Sequence, residues 1–436
     1  MTSQPRVVVI GSGLAGLRLA QRTLAAQPTA SVTVLGEESR RPYNRVLLAE
    51  VLAGRYGPEV TELPWIGSAL LRDARAVRID RTTHTVTCQD GRVIGYDRLV
   101  LATGSRPVLP PLRGLVDTES RQLPEGVHSL WTMDDCLALT AAVQPGLPTV
   151  VIGGGLLGVS AARALAERGA EVVLAQQGDR LMERQLDPEA SALLAAHLTS
   201  LGVEVHTECR ARGLVTSPRA PTPDDTVPSG TRTSRVPTAE GTGARRVIAV
   251  ELADGFRLDA ALVVFACGIR PRVGLARDAG LAVREGIVVD DELRTSDPDI
   301  HAIGDCAEHQ GHSYGLAGAA LDQADALAAR LATGTGRYAG TRALTRLTFS
   351  GGERALDLAA FGEPTPRPGD DVLRLTDATR GTYRQVVVRG DRLVGGVLLG
   401  ELSAVGTLAR AWEGDQPLPD SPGSPLLHLL TDDGGS

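Results

Sequence analysis

The chain has 436 residues and a formal net charge of −7. That length is typical of about three domains with sizeable cores. The mildly acidic balance argues against a nucleic-acid partner or a polybasic membrane patch, and no apolar run is long enough to cross a membrane. All 45 of the Lys or Arg positions are arginine, so the chain has no lysine for Schiff-base or general-base chemistry.

The cysteines predict the redox compartment. There are five, and none forms a CxxC pair: Cys88, Cys136, Cys209, Cys267 and Cys306. This spacing argues against a dithiol redox centre, an iron–sulfur cluster or any other metal site. An odd number of isolated thiols fits a reducing compartment. The apolar N-terminal segment is interrupted by glycines, unlike a signal peptide, and we therefore expect a cytoplasmic protein.

The chain begins with a pattern typical of a βαβ unit. The run Arg6–Ile10 predicts a strand, residues 13–25 predict a helix, and a second strand begins at Ser31. The loop between the first strand and the helix matches a dinucleotide fingerprint, and its candidate binding residues are Gly11, Ser12, Gly13, Leu14, Ala15 and Gly16. The free N–H groups at the start of the helix predict a pyrophosphate site.

Each glycine of this loop has a predicted task. Gly11 permits the tight turn, Gly13 lets the pyrophosphate approach the backbone, and Gly16 lets helix and strand pack closely. Glu37 follows Gly16 by 21 residues, where a carboxylate binds ribose hydroxyls. Glycines, strand, helix and acid together indicate a dinucleotide site much more strongly than a glycine triplet alone.

A second unit of the same kind follows. Strand 149–152, helix 156–168 and strand 171–177 surround a second glycine loop. Its candidate nucleotide-binding residues are Gly153, Gly155, Leu156, Leu157 and Gly158. Two dinucleotides in one protein indicate electron transfer between them.

The two units also match elsewhere. Residues 35–37 align with 174–176, so that Gln176 falls on Glu37, and "LVLATGSRP" (99–107) aligns with "VVFACGIRP" (263–271). These repeats predict two homologous nucleotide-binding domains.

The second site lacks the acidic residue of the first. A carboxylate repels a 2′-phosphate and favours NADH, whereas the amide of Gln176 removes that repulsion. Arg180, four residues later, is a candidate phosphate partner, which favours NADPH or dual use. In the alternative, Gln176 still bonds the NADH ribose and Arg180 is an ordinary surface residue.

The remaining segments differ in composition. Residues 216–244 are rich in Pro, Ser, Thr and Gly and predict a disordered insertion within a hairpin. Beyond Thr333, short alternating strands flank a turn at Gly390 and Asp391 and predict a separate α+β domain. The end of the chain is a polar, proline-rich tail.

The motifs resemble the FAD oxidoreductases that use pyridine nucleotides and have two dinucleotide-binding domains. Besides the loops, "LVLATGSRP" resembles the family's second FAD segment and "TSDPDIHAIGDCAE" its third. By that resemblance Asp305 would bond the ribityl or phosphate region, and a helix starting near Ala317 would point at the flavin. The resemblance also implies FAD contacts at the backbone of Ala76 and at Ala102, Thr103 and Gly104, and it adds Gly268, the counterpart of Gly104, to the second site.

This resemblance sets the expected fold. It implies an α/β protein with two Rossmann-like FAD and NAD(P) domains in a glutathione-reductase-like arrangement, and a small C-terminal α+β domain. The expected boundaries are 1–115 with 269–333 for FAD, 116–268 for NAD(P) including the insertion, 334–415 for the third domain and 416–436 for the tail.

Further segments resemble the flavoprotein portion of assimilatory NAD(P)H nitrite reductase large subunits and the related nitrate reductase electron-transfer subunits. They include "RRPYNRVLLAEVLAG" (40–54), "LMERQLDPEA" and "GIRPR". The resemblance implies FAD as cofactor, NADH or NADPH as substrate, and Arg45 over the flavin or its diphosphate. It also implies an external redox partner, an iron–sulfur protein or a nitrite or nitrate reductase component, since this sequence lacks the cysteine clusters of the iron–sulfur and siroheme modules.

One departure and several alternatives stand beside this expectation. In ferredoxin-reductase-type members a Lys after "PYxR" pairs with a Glu after the second loop, whereas here these positions are Glu50 and Ser160. A ferredoxin or rubredoxin reductase, an NAD(P)H oxidase, and a non-catalytic sensor that binds both nucleotides are the alternatives. The chemistry requires positioning and demands no acid or base, so no catalytic residue is predicted.

Overall fold

We describe a computed structural model of the chain, which covers residues 5–64, 69–116, 122–218, 245–342, 344–349, 355–377, 379–415 and 417–418. The helices are α1 Leu14–Ala26, α2 Leu48–Leu52, α3 Met133–Ala142, α4 Leu156–Glu167, α5 Pro188–Ser200, α6 Gly274–Asp278, α7 Ala317–Thr333 and α8 Val405–Glu413. Short 3₁₀ turns cover Arg45–Leu47, Pro58–Thr61 and Gly304–Cys306. Among the described residues, every helix is too short or too polar to span a lipid bilayer.

The strands of the first half are β1 Arg6–Ile10, β2 Ser31–Leu35, β3 Leu70–Leu71, β4 Ala76–Asp80, β5 Thr85–Cys88, β6 Val93–Gly95, β7 Arg98–Leu101, β8 Ser105–Pro107, β9 Val127–Ser129, β10 Pro148–Ile152, β11 Glu171–Ala175, β12 Val203–His206 and β13 Ala211–Pro218. Those of the second half are β14 Arg245–Leu252, β15 Arg257–Asp259, β16 Leu262–Phe265, β17 Ile269–Pro271, β18 Ile287–Val289, β19 Ile300–Ala302, β20 Ala307–His309, β21 Leu344–Phe349, β22 Leu356–Gly362, β23 Asp371–Asp377, β24 Thr382–Arg389 and β25 Arg392–Leu399.

The first sheet is parallel, with strand order β19-β7-β1-β2-β3. Its central strand is an uninterrupted apolar run whose residues Val7 to Ile10 are all buried, as a strand covered on both faces requires. Helices α1 and α7 lie side by side on it, and Arg18 of α1 donates two hydrogen bonds to Asp325 of α7. The strand order reverses beside β1, so β1 ends at the switch point where doubly wound sheets bind ligands.

The second sheet repeats this topology, with order β12-β11-β10-β16-β9, and every pair is parallel. Predicted and observed elements agree closely: the second helix spans residues 156–167 against a prediction of 156–168, and the first spans 14–26 against 13–25. Strand β11 ends two residues earlier than predicted, at Ala175. The doubly wound α/β fold and its repeat are confirmed, whereas the domain boundaries stay predictions.

A third, antiparallel sheet with order β21-β22-β25-β24-β23 carries α8 and forms the predicted α+β unit. Its hairpin turns at Gly390, whose φ of +63° favours glycine. The sheet packs on the unit built around the second parallel sheet: the buried Tyr383 hydroxyl donates to Asp187, the N-cap of α5, over 2.9 Å. One apolar core runs from α2 through α4 and α5 into this sheet.

The prediction that residues 216–244 are disordered is wrong for the first three of them. Residues 216–218 belong to β13, which pairs antiparallel with β14 in the expected hairpin. The ladder extends to Pro218 and Arg245, so cross-strand pairing overrides the low apolar content of these residues. Residues 219–244, and nearly all of the predicted tail, lie outside the described residues.

A buried histidine in the first sheet makes stability depend on pH. His301, in β19, is 3 % exposed, and burial followed by the charge of Arg98 lowers its pKa to about 4. The unfolded residue titrates near 6.5, so as the pH falls below that value the unfolded chain gains a proton that the folded chain does not. Stability present at pH 7 is therefore lost on acidification.

We expect His301 alone to lower the free energy of unfolding by about 2 kcal/mol between pH 7 and pH 5. Urea unfolding of the wild type and of His301→Gln at both pH values measures this contribution. An identical pH dependence in the two proteins would show that His301 is not responsible.

Candidate functional site

The first glycine loop closes against the neighbouring strand. Gly11 has φ +118° and donates its N–H to the Leu35 carbonyl over 2.9 Å. A Cβ on Gly11 would overlap the carbonyl oxygen of Ala102, and one on Gly16 would overlap that of Gly11. These two glycines are therefore required by the fold itself. A Cβ on Gly13 would meet nothing within 4 Å, so this position faces open space at the loop.

Helix α1 begins without a side-chain cap. Gly13 is the N-cap residue, and the first turn contains no acidic residue. Leu14 and Ala15 therefore present backbone N–H groups that the protein does not cap, at the positive end of the helix dipole. Among the described α-helices, only α3 and α5 begin with a side-chain cap, which Thr132 and Asp187 provide. An uncapped helix facing an open loop suits a pyrophosphate. Ser12 lies beside Gly36, with its Oγ 2.7 Å from where a Cβ of Gly36 would stand.

Glu37 lies just beyond the end of β2, with 47 % of its side chain exposed. It pairs with Arg272 over 2.8 Å and more loosely with Arg75 over 3.7 Å. Ala76, whose backbone is a predicted FAD contact, follows Arg75 at the start of β4 and so lies on this side of the site. Glu37 is accessible to a ribose, but it already carries an arginine partner that the sequence did not reveal.

Arg272 contacts both Glu37 and the second predicted FAD segment, residues 99–107. Its backbone carbonyl accepts the Thr103 hydroxyl over 2.8 Å, and its N–H donates to the Gly104 carbonyl over 2.8 Å. Gly104 has φ +69° and, like Gly13, nothing within 4 Å of a Cβ. Ala102, Thr103 and Gly104 therefore come together with the first loop at the ends of β1 and β7, as predicted.

Asp305 lies in the turn between β19 and β20. Ser105 donates its hydroxyl to one carboxylate oxygen over 2.7 Å. The turn is tied to α7, because the Gly304 N–H donates to the buried Gln323 side chain over 2.7 Å. Helix α7 begins at Ala317, as predicted, and its first turn has no side-chain cap. Asp305 and the start of α7 thus share one edge of the first sheet with the glycine loop.

Arg45 is held by an aromatic cluster. Its guanidinium pairs with Glu38 over 2.6 Å and lies over the rings of Tyr43 and Trp131, at 5.9 and 5.7 Å from their centroids. Tyr43 also donates its hydroxyl to Glu38 over 2.8 Å, and burial raises the pKa of this hydroxyl above its usual range. The Trp131 indole donates to the backbone carbonyl of Ser105, the residue whose hydroxyl donates to Asp305. Through Trp131 and Ser105, Arg45 is thus connected to Asp305, and its contact with FAD stays a prediction.

The second glycine loop has the same geometry as the first. Gly153 has φ +112°, and a Cβ there would overlap the Ala266 carbonyl, while one on Gly158 would overlap that of Gly153. Gly155, the N-cap of α4, has nothing within 4 Å of a Cβ and no capping side chain. Leu156 and Leu157 form the first turn, so this loop also leaves helix N–H groups uncapped. Gly268, with φ +95° and an equally open Cβ position, lies beyond the end of the neighbouring β16.

The register of the strands corrects the internal alignment by one residue. Gly11 donates to Leu35, whereas Gly153 donates to Ala175, so Leu35 and Ala175 are equivalent. Gln176 therefore corresponds to Gly36, and the exposed Gln177 corresponds to Glu37. The sequence alignment of the two units was wrong by one residue, because apolar runs of adjacent strands can be matched in more than one register.

The two loops differ in which position is a glycine. Ser12 and Gly36 of the first unit correspond to Gly154 and Gln176 of the second. The Gln176 side-chain oxygen accepts the Gly154 N–H over 2.7 Å, which is possible because Gly154 has no side chain. Gln176 is thereby held against the second loop. Arg180 pairs instead with Asp179 over 3.0 Å, so its charge is already partly neutralised, which weakens the sequence argument for NADPH.

We expect Gln176→Glu to favour NADH. A carboxylate held beside the loop would repel a 2′-phosphate and accept from ribose hydroxyls. The ratio of kcat/KM for NADH over NADPH should rise about tenfold, equivalent to ~1.4 kcal/mol. Gln177→Glu is the matched control: Gln177 is the counterpart of Glu37 by strand register, whereas Gln176 is the residue that contacts the second loop at Gly154. A larger shift in the control would move the specificity position to residue 177.

Comparison with known proteins identifies the architecture. The family model described as pyridine nucleotide-disulphide oxidoreductase matches residues 5–324. The chain belongs to this family. A second model, the rubredoxin NAD+ reductase C-terminal domain, matches residues 345–414.

Proteins similar to this chain include reductases and a subunit of a reductase. The chain is 30 % identical to the nitrite reductase [NAD(P)H] of Bacillus subtilis over 99 % of its length, covering 50 % of that protein. It is also 30 % identical to the assimilatory nitrate reductase electron transfer subunit of the same organism over 91 % of its length, covering 48 %. The chain thus spans about half the length of these relatives. A covalent putidaredoxin reductase–putidaredoxin complex matches with a TM-score of 0.81 at 25 % identity and covers all of both chains.

The family binds FAD and uses NAD(P)H, and the residues present fit both nucleotides. Each predicted pyrophosphate position is a glycine with an open Cβ direction, at an uncapped helix of twelve or more residues. The other glycines of the two triplets pack against backbone carbonyl groups instead; they are Gly11, Gly16, Gly153 and Gly158. This division between open and packed glycines is what two bound dinucleotides require. The roles of the individual residues stay predictions.

Several site residues were missed from the sequence. They are Glu38, Tyr43, Ser105, Trp131, Arg272 and Gln323. Tyr43 and Arg272 lie within the motifs "PYNR" and "GIRPR", and Trp131 is one of three tryptophans in a chain with 3 % aromatic residues. Their long-range partners, however, could not be read from local patterns.

Proposed function

We propose that the chain transfers electrons from NADH or NADPH, through bound FAD, to an external redox protein of a nitrite or nitrate reductase system. The observation that carries the proposal is the pair of equivalent glycine loops with open Gly13 and Gly155 positions in one chain. When bound, FAD supplies the ability to accept a hydride equivalent and to release electrons to another centre. We also propose that the protein is cytoplasmic.

The protein's own residues would bind the two nucleotides and orient them relative to each other. The first loop and α1 would hold the FAD pyrophosphate, with Glu37 at the ribose. Asp305 would reach the ribityl or phosphate region while Ser105 holds one of its oxygens. Arg45, fixed by Glu38 and by Trp131, would place positive charge next to the flavin or its diphosphate. The second loop would position the nicotinamide nucleotide.

The cysteines support an acceptor outside the chain. All five are free thiols. Cys306, beside Asp305, is fully buried, and burial raises the pKa of its thiol. Burial likewise raises the pKa of Cys267 to about 11. Protonated, separated thiols are poor redox relays, so electrons would leave the flavin site for a partner, for which an iron–sulfur protein or a nitrite or nitrate reductase component is proposed.

Anaerobic mixing tests the proposal. FAD bound to the purified protein should be bleached by NADH or NADPH within seconds, and addition of a candidate partner should restore its colour. No bleaching by either nucleotide would contradict any reductase function and favour a nucleotide-binding sensor. Rapid recolouring by oxygen alone, without benefit from a partner, would instead indicate an oxidase.

A ferredoxin-type reductase is the second candidate. It is favoured by the putidaredoxin reductase structure, which the chain matches over the full length of both. Steady-state reduction of a purified [2Fe–2S] ferredoxin and of purified nitrite or nitrate reductase components would separate the two. The partner with the higher kcat/KM is the physiological class.

A further inference from the structure

The helix that follows the second glycine loop is tied to the first unit by a closed ring of charges. Arg163 pairs with Glu50 and, over 3.2 Å, with Glu167. Arg55 completes the ring, with contacts to Glu50 over 3.3 Å and to Glu167 over 2.7 Å. Arginine and glutamate alternate, so the four charges sum to zero. We call these four residues the ionic ring.

The ionic ring joins two elements that carry the proposed site. Glu50 lies in α2, which directly follows the turn of Arg45, and Arg55 lies just beyond α2. Arg163 and Glu167 lie in α4, which begins at the second glycine loop. Arg168 adds a hydrogen bond to the carbonyl of the last α2 residue. A movement of α4 along α2 would therefore change the distance between the two nucleotide sites.

The ring is sheltered from water. The Arg163 side chain is 1 % exposed, and those of Glu167, Glu50 and Arg55 are 18, 22 and 26 % exposed. Buried charge pairs contribute little net stability but are costly to break, since the remaining partner stays desolvated. The four side chains must therefore keep one relative geometry, which makes the ring a positional constraint.

The ring also accounts for the departure at Glu50 and Ser160. The Ser160 hydroxyl donates to the Leu156 carbonyl within α4 and does not reach α2. Arg163, one helical turn later, is the residue of α4 that meets Glu50. Compared with the Lys and Glu of the resemblance, the charges are reversed: the acid lies on α2 and the base on α4.

We propose that the ionic ring is the element that positions the nicotinamide nucleotide site against the flavin site, with Arg163 and Glu50 as its central positioning residues. This inference rests on the proposed transfer from NAD(P)H to FAD. Hydride transfer depends steeply on alignment, and a displacement of about 1 Å can cost about a hundredfold in rate. Loss of the ring should therefore slow the limiting rate of flavin reduction more than it weakens nucleotide binding, because the glycine loops remain intact.

The test uses Glu50→Gln and Arg55→Gln in the FAD-loaded full chain. The limiting rate of flavin bleaching at saturating NADH or NADPH should fall ten- to a hundredfold. FAD content should be unchanged, and the half-saturating nucleotide concentration should change less than about threefold. Glu50→Asp, which keeps the charge, should recover part of the rate. Arg55→Gln is included because Arg55 is the most exposed member and its loss is the least disruptive to folding.

Tyr383→Phe is the matched control. It removes the buried hydroxyl that bonds to Asp187 and Gln385, neither of which belongs to α2 or α4, and it keeps the aromatic ring in the core. It should lower stability but leave the limiting rate unchanged. If both ring variants reduce flavin at the wild-type rate, whatever their stability, the ring is structural only and the inference is wrong. If the wild type itself is not bleached, the proposed function fails instead.

Discussion

Gly13→Val should give a folded protein that purifies without FAD. Gly13 has φ −76°, which any residue can adopt, and a Cβ there meets no protein atom within 4 Å. The new side chain would occupy the space in which we place the pyrophosphate and would block the first-turn N–H groups of α1. Flavin absorbance per chain should fall by at least about tenfold, while far-UV circular dichroism should match that of the wild type.

Gly16→Val is the matched control in the same loop. Its Cβ would overlap the Gly11 carbonyl, so this variant should lose the fold together with the cofactor. Comparison of the two separates a ligand clash from a packing clash. Retention of full yellow colour by Gly13→Val would show that the pyrophosphate lies elsewhere.

Gly155→Val should retain FAD but lose reduction by NAD(P)H. Gly155 is the counterpart of Gly13, with φ −79° and an equally open Cβ direction. The first loop is untouched, so flavin content should be that of the wild type. Blocking the second pyrophosphate position should lower kcat/KM for NADH and NADPH together by at least about a hundredfold, since neither can bring its nicotinamide to the flavin.

Chemical reduction provides the control for Gly155→Val. Dithionite should bleach this variant as completely as the wild type, because the flavin remains competent. Loss of FAD from Gly155→Val, or nucleotide turnover at the wild-type rate, would contradict the assignment of the two loops to two different dinucleotides.

Much of the fold could be predicted from the sequence because its signals are local. The apolar run before each glycine triplet, and the helical pattern after it, predicted β1, α1, β10 and α4 to within one residue at their ends. The hairpin around Gly390 followed from alternation and turn chemistry in the same way. Such patterns depend on residues a few positions apart, and tertiary packing reinforces them here.

Errors arose where the deciding contact was distant in sequence. Residues 216–218 read as disordered, yet they pair with residues 245–247 across the hairpin. Gln176 was aligned with Glu37, although backbone hydrogen bonds between strands make it equivalent to Gly36. In both cases pairing between strands decided the outcome, and composition carried no information about it.

By itself, the sequence determined that this protein has two dinucleotide loops, because the need for glycine at a tight turn and at a close backbone approach is written in the residue types. The tertiary structure alone decided which charges meet. It pairs Glu37 with Arg272 across 235 positions and closes Glu50, Arg55, Arg163 and Glu167 into one ring. Ion pairs form wherever folding brings side chains within a few ångströms, and that proximity depends on the packing of whole helices and sheets.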